Sequence, residues 1–130
     1  MVALAKGVLR GKIYDPVELL KRVQRGDCPH TMRVVAYTMY PHFFEDVEQG
    51  RCPICGRRYA SRGKVWSHIR RTQCSFGASA IASSIYREWA TATDMIYVKD
   101  GKYVVRSTGR QYDSFEEAYR AVRDLDVIIL

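Results

Sequence analysis

Residues 52–74 read CPICGRRYASRGKVWSHIRRTQC, and this stretch decides the fold. Cys52 and Cys55 are separated by two residues, His68 follows after twelve more, and Cys74 after a further five. Two thiolates on a tight knuckle, joined by an imidazole and a third thiolate from a following helix, form the donor set of a structural zinc site. The metal supplies stability to a segment too small to bury a core of its own. One structural Zn²⁺ is therefore expected on Cys52, Cys55, His68 and Cys74. The competing reading is a redox Cys-x-x-Cys pair with His68 and Cys74 unrelated to it, and nothing else in the sequence supports redox chemistry. Cys28 is left over and reads as a buried free thiol, which suits a reducing compartment.

The charge around this segment is equally informative. Between Gln49 and Arg87 stand Arg51, Arg57, Arg58, Arg62, Lys64, Arg70, Arg71 and Arg87 with no Asp or Glu, so the stretch alone carries +8. The whole chain carries +7, which leaves the remainder close to neutral. A positive field this concentrated seeks a polyanion. The chain has 130 residues, 47% of them apolar, enough for one ordinary domain with appendages. The N-terminal MVALAKGVLRGK is interrupted by Lys6 and Arg10 and matches neither a signal peptide nor a membrane span. An intracellular, cytoplasmic protein is expected, with no membrane partner. Asparagine is absent and arginine outnumbers lysine, a bias that points toward a hot-living source.

Four regions follow: an N-terminal helix-strand arm (1–48), the zinc-binding segment (49–75), a connecting helix (76–93) and a strand-strand-helix unit (94–130). Asp15-Pro16 with Glu18 marks a helix start, Val17, Leu20 and Val23 its apolar face and Gly26 its stop. MRVVAYTMY, from Met32 to Tyr40, is rich in β-branched and aromatic residues and is closed by Pro41, which favours a strand. Phe43, Phe44 and Val47 fit one helical turn packed on it. Past Cys74, Ile81, Ile85 and Trp89 recur at helical spacing. Asp100-Gly101 between Met95–Lys99 and Lys102–Arg106 signals a two-residue hairpin, with a third short strand near 110–112. Ser114-Phe-Glu-Glu117 reads as a capping box opening a final helix striped by Phe115, Ala118, Tyr119 and Val122 and running to about Asp124. The fold class is therefore α+β.

The C-x2-C-x12-H-x5-C spacing resembles the Cys-Cys-His-His zinc-finger family, with Cys74 in place of the last histidine. Tyr59 and Val65 stand where that family places its small core. The resemblance covers 23 residues, 52–74, and is similar to lone-finger proteins of crenarchaea and archaeal viruses. It implies a ββα finger. The longer gap before Cys74 implies a helix end that loosens or bends there. In DNA-reading members the residue before the helix and its third and sixth residues meet bases. Carried over, these are Ser61, Lys64 and Ser67, with Arg57, Arg58, Arg62, Arg70 and Arg71 placed for phosphates. Trp66 reads as a packing residue against the N-terminal arm or the next helix. The C-terminal MIYVKDGKYVVRSTGRQYDSFEEAYRAV resembles the small sheet-helix modules of integrase arms and some plant transcription factors, in which Lys99, Lys102, Arg106 and Arg110 would face phosphates.

Cys28, His30 and His42, with Asp27 or Glu45, match no metal motif and read as a thiol and two unrelated histidines. No nucleophile-base pair, phosphate loop or carboxylate pair stands out, so neither an enzyme nor a small-molecule substrate is expected. The expected function is a zinc-finger DNA-binding transcriptional regulator. The alternatives are an RNA-binding or ribosome-associated zinc protein and a protein-interaction finger.

Overall fold

A computed structural model describes residues 15–129; the reading of residues 1–12 lies outside them. The described residues form six helices and a three-stranded antiparallel sheet, an α+β arrangement. In order these are α1 (Pro16–Arg25), α2 (His30–Met39), α3 (Pro41–Glu48), α4 (Arg62–Arg71), α5 (Cys74–Met95), β1 (Ile96–Lys99), β2 (Lys102–Val105), β3 (Gln111–Tyr112) and α6 (Phe115–Ile129). The chain divides into two compact units with the boundary between Tyr86 and Arg87, inside α5. Among the described residues no helix is long and apolar enough to cross a membrane.

In the first unit α1 begins where its sequence says it should. Asp15 Oδ1 accepts from the N–H groups of Val17 (2.9 Å) and Glu18 (3.1 Å), and Gly26 closes the helix in the left-handed region. The expected strand over 32–40 is instead helix α2, so the arm is helical throughout. Met32, Val35 and Ala36 are fully buried at helical spacing, and Tyr37 stacks on Phe44 with ring centroids 4.7 Å apart. Burial of that stripe outweighs the weak helix propensity of Val34, Val35 and Thr38. Pro41 does not end a strand; it occupies the first turn of α3, where its missing N–H costs nothing.

Helices α1 and α3 form the bed for α4. Val65, Trp66 and Ile69 of α4 are buried, and the Trp66 ring lies 6.1 Å from that of Phe43. The Trp66 indole N–H donates to Gln24 Oε1 at 3.0 Å, and Gln24 Nε2 donates to the Phe44 carbonyl at 3.1 Å. Gln24 is the one buried polar side chain among the described residues, and both ends of its amide are engaged. Trp66 is thus a packing residue against the N-terminal arm, as expected.

In the second unit Asp100 and Gly101 both take positive φ (52° and 78°) at the hairpin tip, matching the right-handed twist of the strands they join. Register pairs Ile96 with Val105 and Lys99 with Lys102, and β3 joins through Tyr103 opposite Tyr112. The capping box forms with a shift: Ser114 Oγ accepts from Glu117 N at 3.2 Å, while Glu117 Oε1 accepts from the Asp113 N–H at 3.2 Å. Phe115, Ala118, Tyr119 and Val122 are buried as expected, and the Tyr103 ring meets Phe115 edge-on. Tyr119 donates to Glu88 at 3.0 Å and accepts from Arg123 at 3.2 Å. Of the four cations expected on the sheet two are engaged: Lys102 bonds Asp113, while Arg106 donates to the Asp94 carbonyl and lies over the Tyr97 ring.

Two measurements test this account. Trp66→Phe keeps an aromatic ring but leaves the buried Gln24 Oε1 without its donor, and is expected to lower stability by about 1–3 kcal/mol in denaturant unfolding, whereas an exposed change such as Ser67→Ala leaves it unaltered. Burial works to raise the Asp15 carboxyl, but the Arg70 guanidinium and the N–H groups of Glu18 and Val17 outweigh it and hold the group below the usual carboxylate range. A lowered folded value means that its contribution is complete above the unfolded pKa of about 3.9 and is lost as pH falls through the folded value. Asp15→Asn should therefore flatten that acid limb of the stability curve.

Candidate metal centre and basic face

The knuckle is built by backbone geometry first. Cys52 N donates to the Arg57 carbonyl at 2.8 Å, Gly56 N to the Cys52 carbonyl at 2.8 Å, and Tyr59 N to the Gly50 carbonyl at 2.7 Å. Gly50 takes φ 82°, and a Cβ there would lie 2.6 Å from the Tyr59 carbonyl oxygen, so only glycine permits this closure. The pairing across the knuckle is a single bridge, Arg51 with Arg58, shorter than the two strands expected. Ser61 then caps α4, its Oγ accepting from Lys64 N at 3.3 Å.

Helix α4 ends at Thr72, whose backbone is extended. The Thr72 hydroxyl donates to the His68 carbonyl at 2.8 Å and accepts from the Cys74 N–H at 3.2 Å. One side chain thereby closes α4 and opens α5. The bend expected near Cys74 is a complete break, and Cys74 is the first residue of the next helix rather than the end of α4. A threonine two residues before the helix was the available signal for this start, since Ser, Thr, Asp and Asn favour that role.

The break brings the four donors together. The ligand atoms of Cys52, Cys55, His68 and Cys74 all lie within 4.8 Å of one another. His68 Nε2 is 3.3 Å from Cys55 Sγ and 3.4 Å from Cys74 Sγ. A tetrahedral site with metal–sulfur and metal–nitrogen bonds of about 2.3 and 2.0–2.1 Å has sulfur–nitrogen edges of about 3.6 Å, so the cage fits a metal ion. Cys52 and Cys74 are buried and Cys55 is exposed. Burial pushes the Cys52 thiol up, opposed by the N–H groups of Cys55 and Ile54. The Arg57 N–H holds the Cys55 thiol down. Val65 is fully buried beneath the site, and the Tyr59 ring leans over His68 at 5.0 Å. The four cysteines are free of disulfides.

Among the described residues this is the one Cys/His/Asp/Glu group placed to hold a metal ion. Cys28 is half-buried rather than buried, with its thiol pushed up to about 11 by burial. His30 is exposed, and His42 faces Glu45 from an exposed position.

The basic residues from 51 to 71 sort into two sets. Arg62 holds Glu48 through both carboxylate oxygens at 2.6 and 2.8 Å. Arg70 holds Asp15 at 3.0 Å and reaches Glu18 at 3.9 Å. These two, expected to face phosphates, are turned toward the N-terminal helices. Arg51, Arg57, Arg58, Lys64 and Arg71 are exposed and form no ion pair among the described residues. Lys64, Ser67 and Arg71 share one exposed face of α4, at spacings of three and four. Ser61 lies just before that face with its oxygen occupied by the cap.

Compared with protein-family models, curated proteins and solved structures, the chain matches none.

Cys74→Ser should reduce metal retention sharply, because a hydroxyl replaces a thiolate, while Cys28→Ser should leave it at the parental level. Metal analysis after gel filtration, together with thiol counting under native conditions, distinguishes these outcomes.

Proposed function

We propose that this chain is a zinc-dependent nucleic-acid-binding protein, a Cys-Cys-His-Cys variant of the Cys-Cys-His-His finger, that engages duplex DNA as a transcriptional regulator. The observation carrying the reading is the exposed face of Lys64, Ser67 and Arg71 on α4, flanked by exposed Arg57 and Arg58 in a stretch without carboxylates. The opposite face of the same helix is fixed by packing. Three thiolates and an imidazole in a tetrahedral cage favour Zn²⁺ over the hard cations, which prefer oxygen donors. The zinc acts as a structural cross-link, holding the knuckle, α4 and the start of α5 in register. Three thiolates and Zn²⁺ sum to −1, a small offset against the surrounding guanidinium groups.

The two cation sets give the reading its test. Each phosphate neutralised on duplex DNA contributes about −0.9 to the log–log slope of affinity against salt. With Arg62 and Arg70 held by carboxylates, about four to five contacts remain, for a slope of about −4. Replacing Lys64 and Arg71 together by Ala should make the slope shallower by about two and weaken binding to every sequence. The Arg62/Arg70 double variant should move the slope little. Duplex RNA and structured RNA run at the same salt form the competing arms, and a preference for either replaces the DNA assignment. No appreciable affinity for any polyanion, with one zinc per chain retained, removes the nucleic-acid reading and leaves a protein-docking finger.

A further inference from the structure

Phe76 is 75% exposed, the most exposed large apolar side chain among the described residues. It stands in the first turn of α5, two residues beyond Cys74. Its position is therefore fixed by a member of the metal cage rather than by a mobile loop. The neighbouring Gly77 explains what lies beside it. A Cβ built on Gly77 would come within 3.0 Å of Ile54 Cδ1, so Ile54 packs directly on the backbone of α5. That contact sets the knuckle, with exposed Arg57 and Arg58, against the turn that carries Phe76. Ile54 itself remains 38% exposed.

The result is an exposed aromatic side chain on a turn packed against the knuckle that carries exposed Arg57 and Arg58. Two side chains are too little apolar area for a stable protein interface, which buries about 1,200–2,000 Å² in total. They are enough for one nucleobase. Bases present a π-face to an aromatic ring while their phosphates meet nearby guanidinium groups, a combination that is tolerant of sequence. A paired base inside a regular duplex hides that face, whereas an opened or unpaired base exposes it.

We propose that Phe76 is a base-stacking residue and that the preferred ligand is DNA carrying locally unpaired bases, such as a bubble or a duplex–single-strand junction. This rests on the nucleic-acid reading above and adds the class of DNA to it. The basic face of α4 then holds the flanking duplex, and Phe76 takes the exposed base.

The test uses the full chain, loaded with zinc, and three DNA ligands of common sequence: a duplex, the same duplex with a central bubble, and the single strand. A 2-aminopurine in the bubble reports stacking. The parent is expected to bind the bubble about 5- to 150-fold more tightly than the duplex, the range an aromatic stack on one base supplies. Phe76→Ala should bring the bubble down to duplex affinity, while Phe76→Trp keeps the preference and quenches the reporter. The exposure of Phe76 means that neither substitution disturbs the core, and zinc content equal to the parent's confirms it. Equal binding of all three DNAs by the parent and by Phe76→Ala, with the salt slope intact, overturns the stacking role and leaves the charge-based reading in place. Absence of binding to all three, together with capture of an acidic, leucine-containing peptide that Phe76→Ala abolishes, overturns both and makes the patch a protein dock.

Discussion

The buried hydrogen bond from Trp66 to Gln24 is the constraint on which the arrangement of the first unit depends. An indole N–H taken out of water must find an acceptor, and Gln24 supplies it while using its own amide hydrogens on the Phe44 carbonyl. This fixes the rotation of α4 about its axis. With Val65, Trp66 and Ile69 inward, Lys64, Ser67 and Arg71 must face outward, and His68 falls toward the knuckle. A slip of one residue would turn the helix by about 100°, burying Ser67 and carrying the imidazole away from the cysteines. The metal cage and the exposed cationic face are therefore two consequences of one packing decision made with the N-terminal helices.

The same decision divides the positive charge. Counted along the sequence, residues 49–87 hold eight cations and no carboxylate. Folded, the block is met by carboxylates from elsewhere in the chain, Glu48 on Arg62 and Asp15 with Glu18 on Arg70. These pairs are exposed and contribute little to stability individually, about 0–1 kcal/mol. Their larger effect is on the presented charge, because they link both ends of α4 to neighbouring helices and pair two of its guanidinium groups with carboxylates. A charge count gives the sign of the field, and the fold decides which part of it is presented.

Much of this was legible in the residues. The grouping of Cys52, Cys55, His68 and Cys74, the Asp15 cap, the Gly26 stop, the Asp100-Gly101 hairpin and the apolar stripe of α6 all follow from local rules that tertiary context did not override. The Met32–Tyr40 helix was not legible from composition, because its β-branched and aromatic content obeys strand statistics while its burial obeys a period of 3.6. Only the spacing of Met32, Val35 and Ala36 distinguished the two, and that spacing gains weight once Tyr37 on the same helix is known to stack on Phe44. At the candidate metal centre the four clustered Cys and His residues were readable and the element supplying the fourth was not. The ion pairs of Arg62 and Arg70 join residues fourteen and fifty-five apart, separations about which local patterns say nothing.

Thr72 has a consequence for how this segment can change over time. Its hydroxyl ends one helix and begins the next within a single residue, leaving no slack between His68 and Cys74. Adding or deleting a residue there would rotate the first turn of α5 by about 100° and shift it by about 1.5 Å, swinging the Cys74 sulfur out of the cage. Point substitutions on the outer face of α4 carry no such penalty. The segment is therefore free to drift in side chain while its length is locked, and alteration of what the face contacts can proceed without touching the frame that presents it.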